Sequence, residues 1–238
     1  MGEVPKEQMK VFSFSVFGDD PVYTIGVIKN IALIKEFFPD WKAHIYLPHN
    51  QNSDYVKRIN EYDNTVITLM EDQGSFNRAW RFMSISEDWV DVMVSRDADS
   101  RISMRDRVAI DEWLASSYNY NIIRDHPGGH HWAINAGMWG AKKTEFIKHI
   151  DQMLEECKRR LPYVMPTFDQ EFLRAVIYPM IVKESMVHDE YYKYEPQAKP
   201  IDYDRKLTDF AFIGESIDEN DIPRGEQRAP IKEIYYKK

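Results

Sequence analysis

At 238 residues, with 43% hydrophobic, 13% aromatic and 29% charged residues, the chain has the make-up of one α/β-sized globular domain with a substantial core, not of a disordered polymer. Its formal net charge of −8 removes any broad attraction to nucleic-acid backbones, so a bound phosphate must be held by local groups. Cys157 is the single cysteine, which rules out an intramolecular disulfide and a Cys-based zinc site and fits a buried thiol in a reducing compartment.

Residues 1–8 lack the apolar centre of a signal peptide, Met1-Gly2 is not followed by Ser or Thr where a myristoylation pattern needs it, and no stretch has the apolar length of a membrane span. A cytoplasmic protein without membrane span or lipid anchor is expected. The alternating, β-forming run Lys10–Phe17 reads as a first strand and stops at the turn residues Gly18-Asp19-Asp20-Pro21. Apolar residues recur at helical spacing from Tyr23 to Phe38, and Pro39-Asp40 ends the pattern. A strand at Ala43–Leu47, a helix at Ser53–Tyr62 capped by Ser53, and a strand at Thr65–Met70 repeat the rhythm. Ser75–Ile85 reads as a helix carrying Asn77, Arg78 and Arg81, and Trp89–Ser95 as a buried strand running into Asp97-Ala98-Asp99.

Beyond the motif the pattern predicts a helix at Met104–Ser116, a strand at Asn121–Arg124, a loop at 125–129, a strand at Ile134–Trp139, a long helix at Thr144–Arg160 and a helix at Phe168–Met180 ended near Pro179. From about Val187 periodicity fades and Pro, Asp and Tyr accumulate, so residues 187–238 are expected to wrap one domain as a C-terminal extension. Alternating strands and helices predict a single Rossmann-like α/β domain with a mainly parallel sheet flanked by helices. There is no internal repeat and no low-complexity segment.

In open α/β sheets, ligands collect beyond the carboxyl ends of the strands. Asp97 and Asp99 fall at such a position, and the small Ala98 between them lets two carboxylates address one ligand. Hard oxygen ligands suit Mg²⁺ or Mn²⁺, shared with diphosphate oxygens. A solvated turn produces the same pair of acids, and Arg101 beside them reads as a structural partner for a surface acid.

The apolar strand followed by Ser95-Arg96-Asp97-Ala98-Asp99-Ser100 resembles the metal-binding motif of glycosyltransferases of the GT-A fold. The resemblance implies that Phe17, Gly18 and Tyr23 receive the nucleotide base, and that Asn77, Arg78 and Arg81 meet the nucleotide or its diphosphate together with Asp97 and Ala98. It implies that Asn135, Ala136 and Gly137 shape the donor-sugar and acceptor pocket, and that Thr167–Glu171 brings Asp169 and Gln170 to the sugar. An ordinary helix start favoured by the dipole gives the same acids at Asp169 and Glu171. His188 resembles the late histidine that completes the metal site with Asp97 and Asp99 in some GT-A families, with His126, His130 and His131 as competitors. The compact length and the Arg-Asp-x-Asp-Ser-Arg and Arg-Asp-His-Pro strings are similar to small glycosyltransferases of large DNA viruses and bacteria, which implies a UDP-sugar donor.

The expected reaction is transfer of a hexosyl or deoxyhexosyl group from a nucleotide-sugar to a glycan or glycoconjugate hydroxyl. Mn²⁺ or Mg²⁺ would neutralise the leaving diphosphate, with Arg78 nearby, and Asp169 is the remaining catalytic carboxylate. The alternatives are a nucleotidyltransferase or phosphohydrolase on the same metal site, or a non-catalytic carbohydrate-binding module. The acidic, one-glycine segment Phe17–Pro21 speaks against a nucleotidyltransferase, and six tryptophans scattered along the chain against a single stacking platform in a binding module.

Overall fold

The computed structural model describes residues 8–161 and 163–237, so the features read at residues 1–7 lie outside the described residues. A seven-stranded sheet forms the centre, built from β1 (Lys10–Ser15), β2 (Trp41–Pro48), β3 (Thr65–Met70), β4 (Val92–Arg96), β5 (Tyr120–Arg124), β6 (Met138–Lys142) and β7 (Ser185–Asp189). Its order is β3-β2-β1-β4-β6-β5-β7. Pairings are parallel except at β6, which runs antiparallel to both β4 and β5.

The period-two alternation of β1 feeds two cores. Phe12 and Phe14 point to one face, where α1 (Pro21–Phe37), α2 (Ser53–Asn60) and α3 (Met104–Leu114) supply Ile31, Ile34, Ile59 and Trp113. Val11 points to the other, against the segment Gly74–Ser86, α4 (Ile150–Arg159) and α5 (Phe168–Phe172). The chain steps outward from β1 to β2 and β3, then returns to place β4 on the other side of β1. The reversal opens a crevice at the carboxyl ends of β1 and β4.

α1 starts where the turn chemistry said a strand would stop. Asp20 caps it by accepting from the Val22 N–H at 3.0 Å, and Pro21 occupies a first-turn position that needs no donor. α2 is capped by Asn52 instead of Ser53, its amide oxygen accepting from Asp54 and Tyr55. The expected helix at 75–85 is a 3₁₀ helix. Phe76, Ala79, Phe82 and Ile85, all fully buried, recur every third residue, the period at which 3₁₀ side chains stack on one face.

Three later expectations need correction. β6 begins at Met138 and not Ile134, because side chains take the backbone of 134–136: Gln170 accepts from Ala136 N–H and donates to Ile134 O, and Ser95 donates to Ala136 O. The helical stretch from Phe168 runs to Ile181, within one residue of the expected extent, but it is not one α-helix: it passes through a π-helical turn (Leu173–Ile177) into α6 (Tyr178–Ile181), where Pro179 stands in a first turn instead of ending it. The C-terminal extension begins after Asp189, because Ser185–Asp189 pairs with β5 as the edge strand. The extension ends in α7 (Ala229–Lys237), whose Ile231 packs with Phe210 and Phe212. Among the described residues no helix is long and apolar enough to cross a membrane.

Candidate active site

The crevice at the switch point is a cleft of about 520 Å³. Phe17 from the end of β1, Asp97, Ala98 and Asp99 from the turn after β4, Asn135 and Gly137 before β6, and Asp169 and Gln170 from the first turn of α5 all line it, with Tyr23, Arg78 and Arg81. Two glycines let the motif sit where it does. A Cβ at Gly26 on α1 would run into the carbonyl oxygen of Ala98, and one at Gly137 would run into the carboxylate of Asp97. The Asp97-Ala98-Asp99 turn thus lies directly against a helix backbone and a strand entry, and a side chain at either glycine would displace it.

The carboxylates are held in different ways. Asp97, its side chain 39% exposed, pairs with the Arg81 guanidinium, which is almost fully buried and reaches Asp169 at 3.0 Å with its other amino group. Arg81 therefore bridges the motif and the helix acid. Asp99 accepts from Ser216 Oγ at 2.9 Å, and its carbonyl accepts from the Ile217 N–H at 2.7 Å. Burial, with the neighbouring Asp97 charge adding to it, raises the Asp99 carboxyl above its ordinary range.

Arg78 donates to Pro166 O at 2.5 Å. Asn135 is buried, and its amide nitrogen has no hydrogen-bond partner among the described residues although it belongs to the cleft wall. Such a donor is costly to leave unmade, and a ligand in the cleft would satisfy it. Gln170 uses both ends of its amide on the 134–136 backbone and so fixes Asn135 in place. His130 also lines the cleft. Its Nδ1 accepts from the Asp125 N–H at 3.0 Å, which leaves the proton on Nε2, and burial pushes its pKa down to about 4.

The structure does not bring every expected residue here. His188 lies buried on β7, with Nδ1 accepting from Asn121 at 3.2 Å and Nε2 facing Glu112 at 2.9 Å. Both ring nitrogens are engaged and it is absent from the cleft wall, so it does not join Asp97 and Asp99. Asn77 is turned to the start of its own 3₁₀ helix, accepting from Gln73 N–H and donating to Asp72, both at 2.8 Å. Gly18 makes the turn behind Phe17 at φ 75°, its carbonyl taken by Gln51, and is not in the wall. His126 organises its loop, accepting from the Gly128 and Gly129 N–H groups at Nδ1 and facing Gln227 O at Nε2. Arg101 is a structural partner as expected, bound to Asp221 and to Asp218 O. Of the tryptophans only Trp132 lines the cleft, while Trp41, Trp80, Trp113 and Trp139 are core.

Ser216 and Gly26 escaped the sequence reading. Ser216 is more than a hundred residues from Asp99 and carries no local signal, whereas Gly26 sits unremarkably inside a helical pattern.

Ionised, the charged groups of the wall are three carboxylates (Asp97, Asp99 and Asp169) against two guanidiniums (Arg78 and Arg81), and Arg81 is already engaged by two of the acids. No group of three His, Cys, Asp or Glu side chains among the described residues is arranged to hold a metal. The donor set still fits Mg²⁺ or Mn²⁺, which commonly take one or two carboxylates and complete their shell with substrate phosphates and water.

Neither protein-family models nor curated proteins give a match. Among solved structures the chain is similar to the apo glycosyltransferase GlyE of Streptococcus pneumoniae TIGR4, with 12% identity and a TM-score of 0.49 over 77% of this chain and 46% of that one. It is similar to 4-diphosphocytidyl-2C-methyl-D-erythritol synthase of Anaerococcus prevotii, at 10% identity and a TM-score of 0.45 over 81% and 91% of the two chains. A third likeness is glucosyl-3-phosphoglycerate synthase of Mycobacterium tuberculosis in complex with Mn²⁺ and UDP-glucose, at 10% identity and a TM-score of 0.45 over 76% and 68%. The chain spans about half the length of GlyE.

Proposed function

We propose that this chain is a divalent-cation-dependent glycosyltransferase that takes a nucleoside diphosphate sugar, with a UDP-sugar as the first donor to test, and passes the sugar to a glycan or other hydroxyl acceptor. The observation that carries the reading is the excess of carboxylates in a cleft at the sheet's switch point. A diphosphate is repelled by such a wall unless a cation comes with it.

Asp97 and Asp99 would hold that Mn²⁺ or Mg²⁺ ion, without His188. When bound, the ion supplies neutralisation of the charge that develops on the leaving diphosphate. Arg78 is the guanidinium left for phosphate, because Arg81 is engaged by Asp97 and Asp169. Phe17 and the part-exposed Tyr23 offer ring faces for a base. The unpartnered Asn135 amide and the Asp169 carboxylate are groups that recognise sugar hydroxyls. Asp169, paired with Arg81 at 3.0 Å, would accept a proton from the attacking hydroxyl or face positive charge developing on the sugar ring.

A nucleotidyltransferase reading finds less support. The loop after β1 carries Asp19 and Asp20 with a single glycine and no Lys or Arg, so it lacks the basic, glycine-rich cradle that would hold a triphosphate.

The test is a thermal-shift series with nucleoside diphosphates and their sugars, with and without Mn²⁺, on the wild type and Asp99→Asn. At a ligand concentration near 100 times Kd, about 2.7 kcal/mol of stabilisation and an upward shift of roughly 5–10 °C are expected, only with the metal and only in the wild type. Equal shifts in Asp99→Asn, or none with any nucleotide, sink the assignment. Nucleotide release that ignores added acceptors would instead identify a phosphohydrolase.

A further inference from the structure

A ledge of aromatic side chains leads away from the cleft. Trp132 in the cleft wall stacks on His131, with ring centroids 5.5 Å apart and planes at 29°. Tyr194 donates its hydroxyl to the carbonyl of His131 at 2.9 Å and stacks with Tyr192 at 5.4 Å and 29°. Half of Tyr194 is open to solvent. Tyr194 also lines a second groove, of about 450 Å³, with Tyr178, Glu195 and Gln197 among its walls.

The ledge is rigidly built. Asp189, fully buried, accepts three backbone N–H groups from the turn that follows it: Tyr191 at 2.8 Å, Tyr192 at 2.9 Å and Lys193 at 2.7 Å. Lys193 is held at φ 51°, a left-handed conformation that costs a side-chain-bearing residue free energy and persists only where its surroundings enforce it. Arg124, also fully buried, donates to Asp189 at 2.8 Å and pairs with Glu195, and it reaches Ala133 O at the end of the Trp132 loop. Its guanidinium lies 5.0 Å from the centre of the Tyr194 ring. One buried cation thus locks the tyrosine turn to the tryptophan loop.

Tyr194 covers the buried Arg124, yet half of it remains open to solvent, more than a ring packed only for the core would leave. A surface of ring faces interspersed with amide, carboxylate and hydroxyl groups matches a saccharide, whose rings carry apolar C–H faces and polar edges. We propose that Trp132, Tyr194 and the adjoining groove form the acceptor subsite, and that the acceptor is an oligosaccharide whose units beyond the reacting one lie along this ledge. The assignment rests on the glycosyltransferase reading of the cleft.

Saturation-transfer NMR with malto-, cello- and manno-oligosaccharides of one to six units, on the wild type, Tyr194→Ala and Tyr194→Phe, tests it. At least one series should bind the wild type more tightly as it lengthens. Tyr194→Ala should weaken that binding at least about tenfold, and Tyr194→Phe should leave it near wild type, because the ring and not the hydroxyl does the stacking. Mn²⁺-dependent stabilisation by UDP should be the same in all three proteins, which also reports that they are folded. Equal loss in Tyr194→Phe and Tyr194→Ala would mark a structural tie to His131 and overturn the subsite. Full binding in Tyr194→Ala, or loss of UDP binding in it, overturns it as well. UDP binding without any saccharide binding in the wild type removes the ledge alone, whereas failure of UDP and Mn²⁺ to act on the wild type removes the donor reading and the acceptor assignment with it.

Discussion

Gly137→Ala is the sharpest probe of the motif's geometry. The added methyl carbon would lie 2.9 Å from Asp97 Oδ1 and closer still to Cγ and Oδ2. Non-bonded carbon and oxygen settle well beyond 3 Å, so the carboxylate must swing away by about 1 Å or more. It has room to do so, with 39% of its side chain exposed, and the alanine itself is unstrained because Gly137 is not among the positive-φ residues. The swing takes Asp97 off Arg81 and out of register with Asp99. A misplacement of about 1 Å in a positioned group is worth roughly 100-fold, or about 2.7 kcal/mol. Calorimetric titration of UDP in the presence of Mn²⁺ should show that loss, while urea unfolding shows a decline of only about 1–2 kcal/mol. Affinity within threefold of wild type would mean that Asp97 need not sit against Gly137 to work. A far larger stability loss would mean that the glycine serves the fold instead.

Two further outcomes concern stability. Arg124→Met should cost about 3–5 kcal/mol in urea unfolding at neutral pH, because it leaves the buried carboxylates of Asp189 and Glu195 without their shared cation; a cost under 1 kcal/mol would refute the network's importance. Burial lowers the His44 pKa to about 3, and His130 is lowered to about 4, while the unfolded chain titrates near 6.5. Between those values the unfolded state takes up a proton that the folded state refuses, so stability is full above about pH 6.5 and falls as pH drops. At pH 5 each histidine accounts for up to about 2 kcal/mol of lost stability. Urea midpoints at pH 7 and pH 5 should show the drop in the wild type and a shallower one in His44→Gln; an equal drop in both would refute the assignment to His44.

Local pattern carried much of this protein. Alternation in Lys10–Ser15 and Thr65–Met70, the Asp20-Pro21 helix start and the apolar strand ahead of Asp97 are written in neighbouring residues, where period and turn chemistry act. They sufficed to indicate an α/β sheet and to place two carboxylates at a strand end. β7 could not be read this way, for its five residues are extended only because β5 offers them an edge. Nor could the 3₁₀ geometry of 74–86, which packing imposes on a stretch that also satisfies a helical period.

The site divides along the same line. Sequence neighbours Asp97, Ala98 and Asp99 announced themselves, but which groups meet them depends on contacts across long separations. Arg81 turned out to bridge Asp97 and Asp169, Ser216 to hold Asp99, and Gly26 and Gly137 to clear the space. His188 had the right chemistry for a ligand and the wrong position, because its strand lies at the sheet's far edge with Glu112 and Asn121 already on its ring. Residue type and spacing along the chain determine what a group is able to do; only the folding of distant segments onto one another decides what it has to do it with.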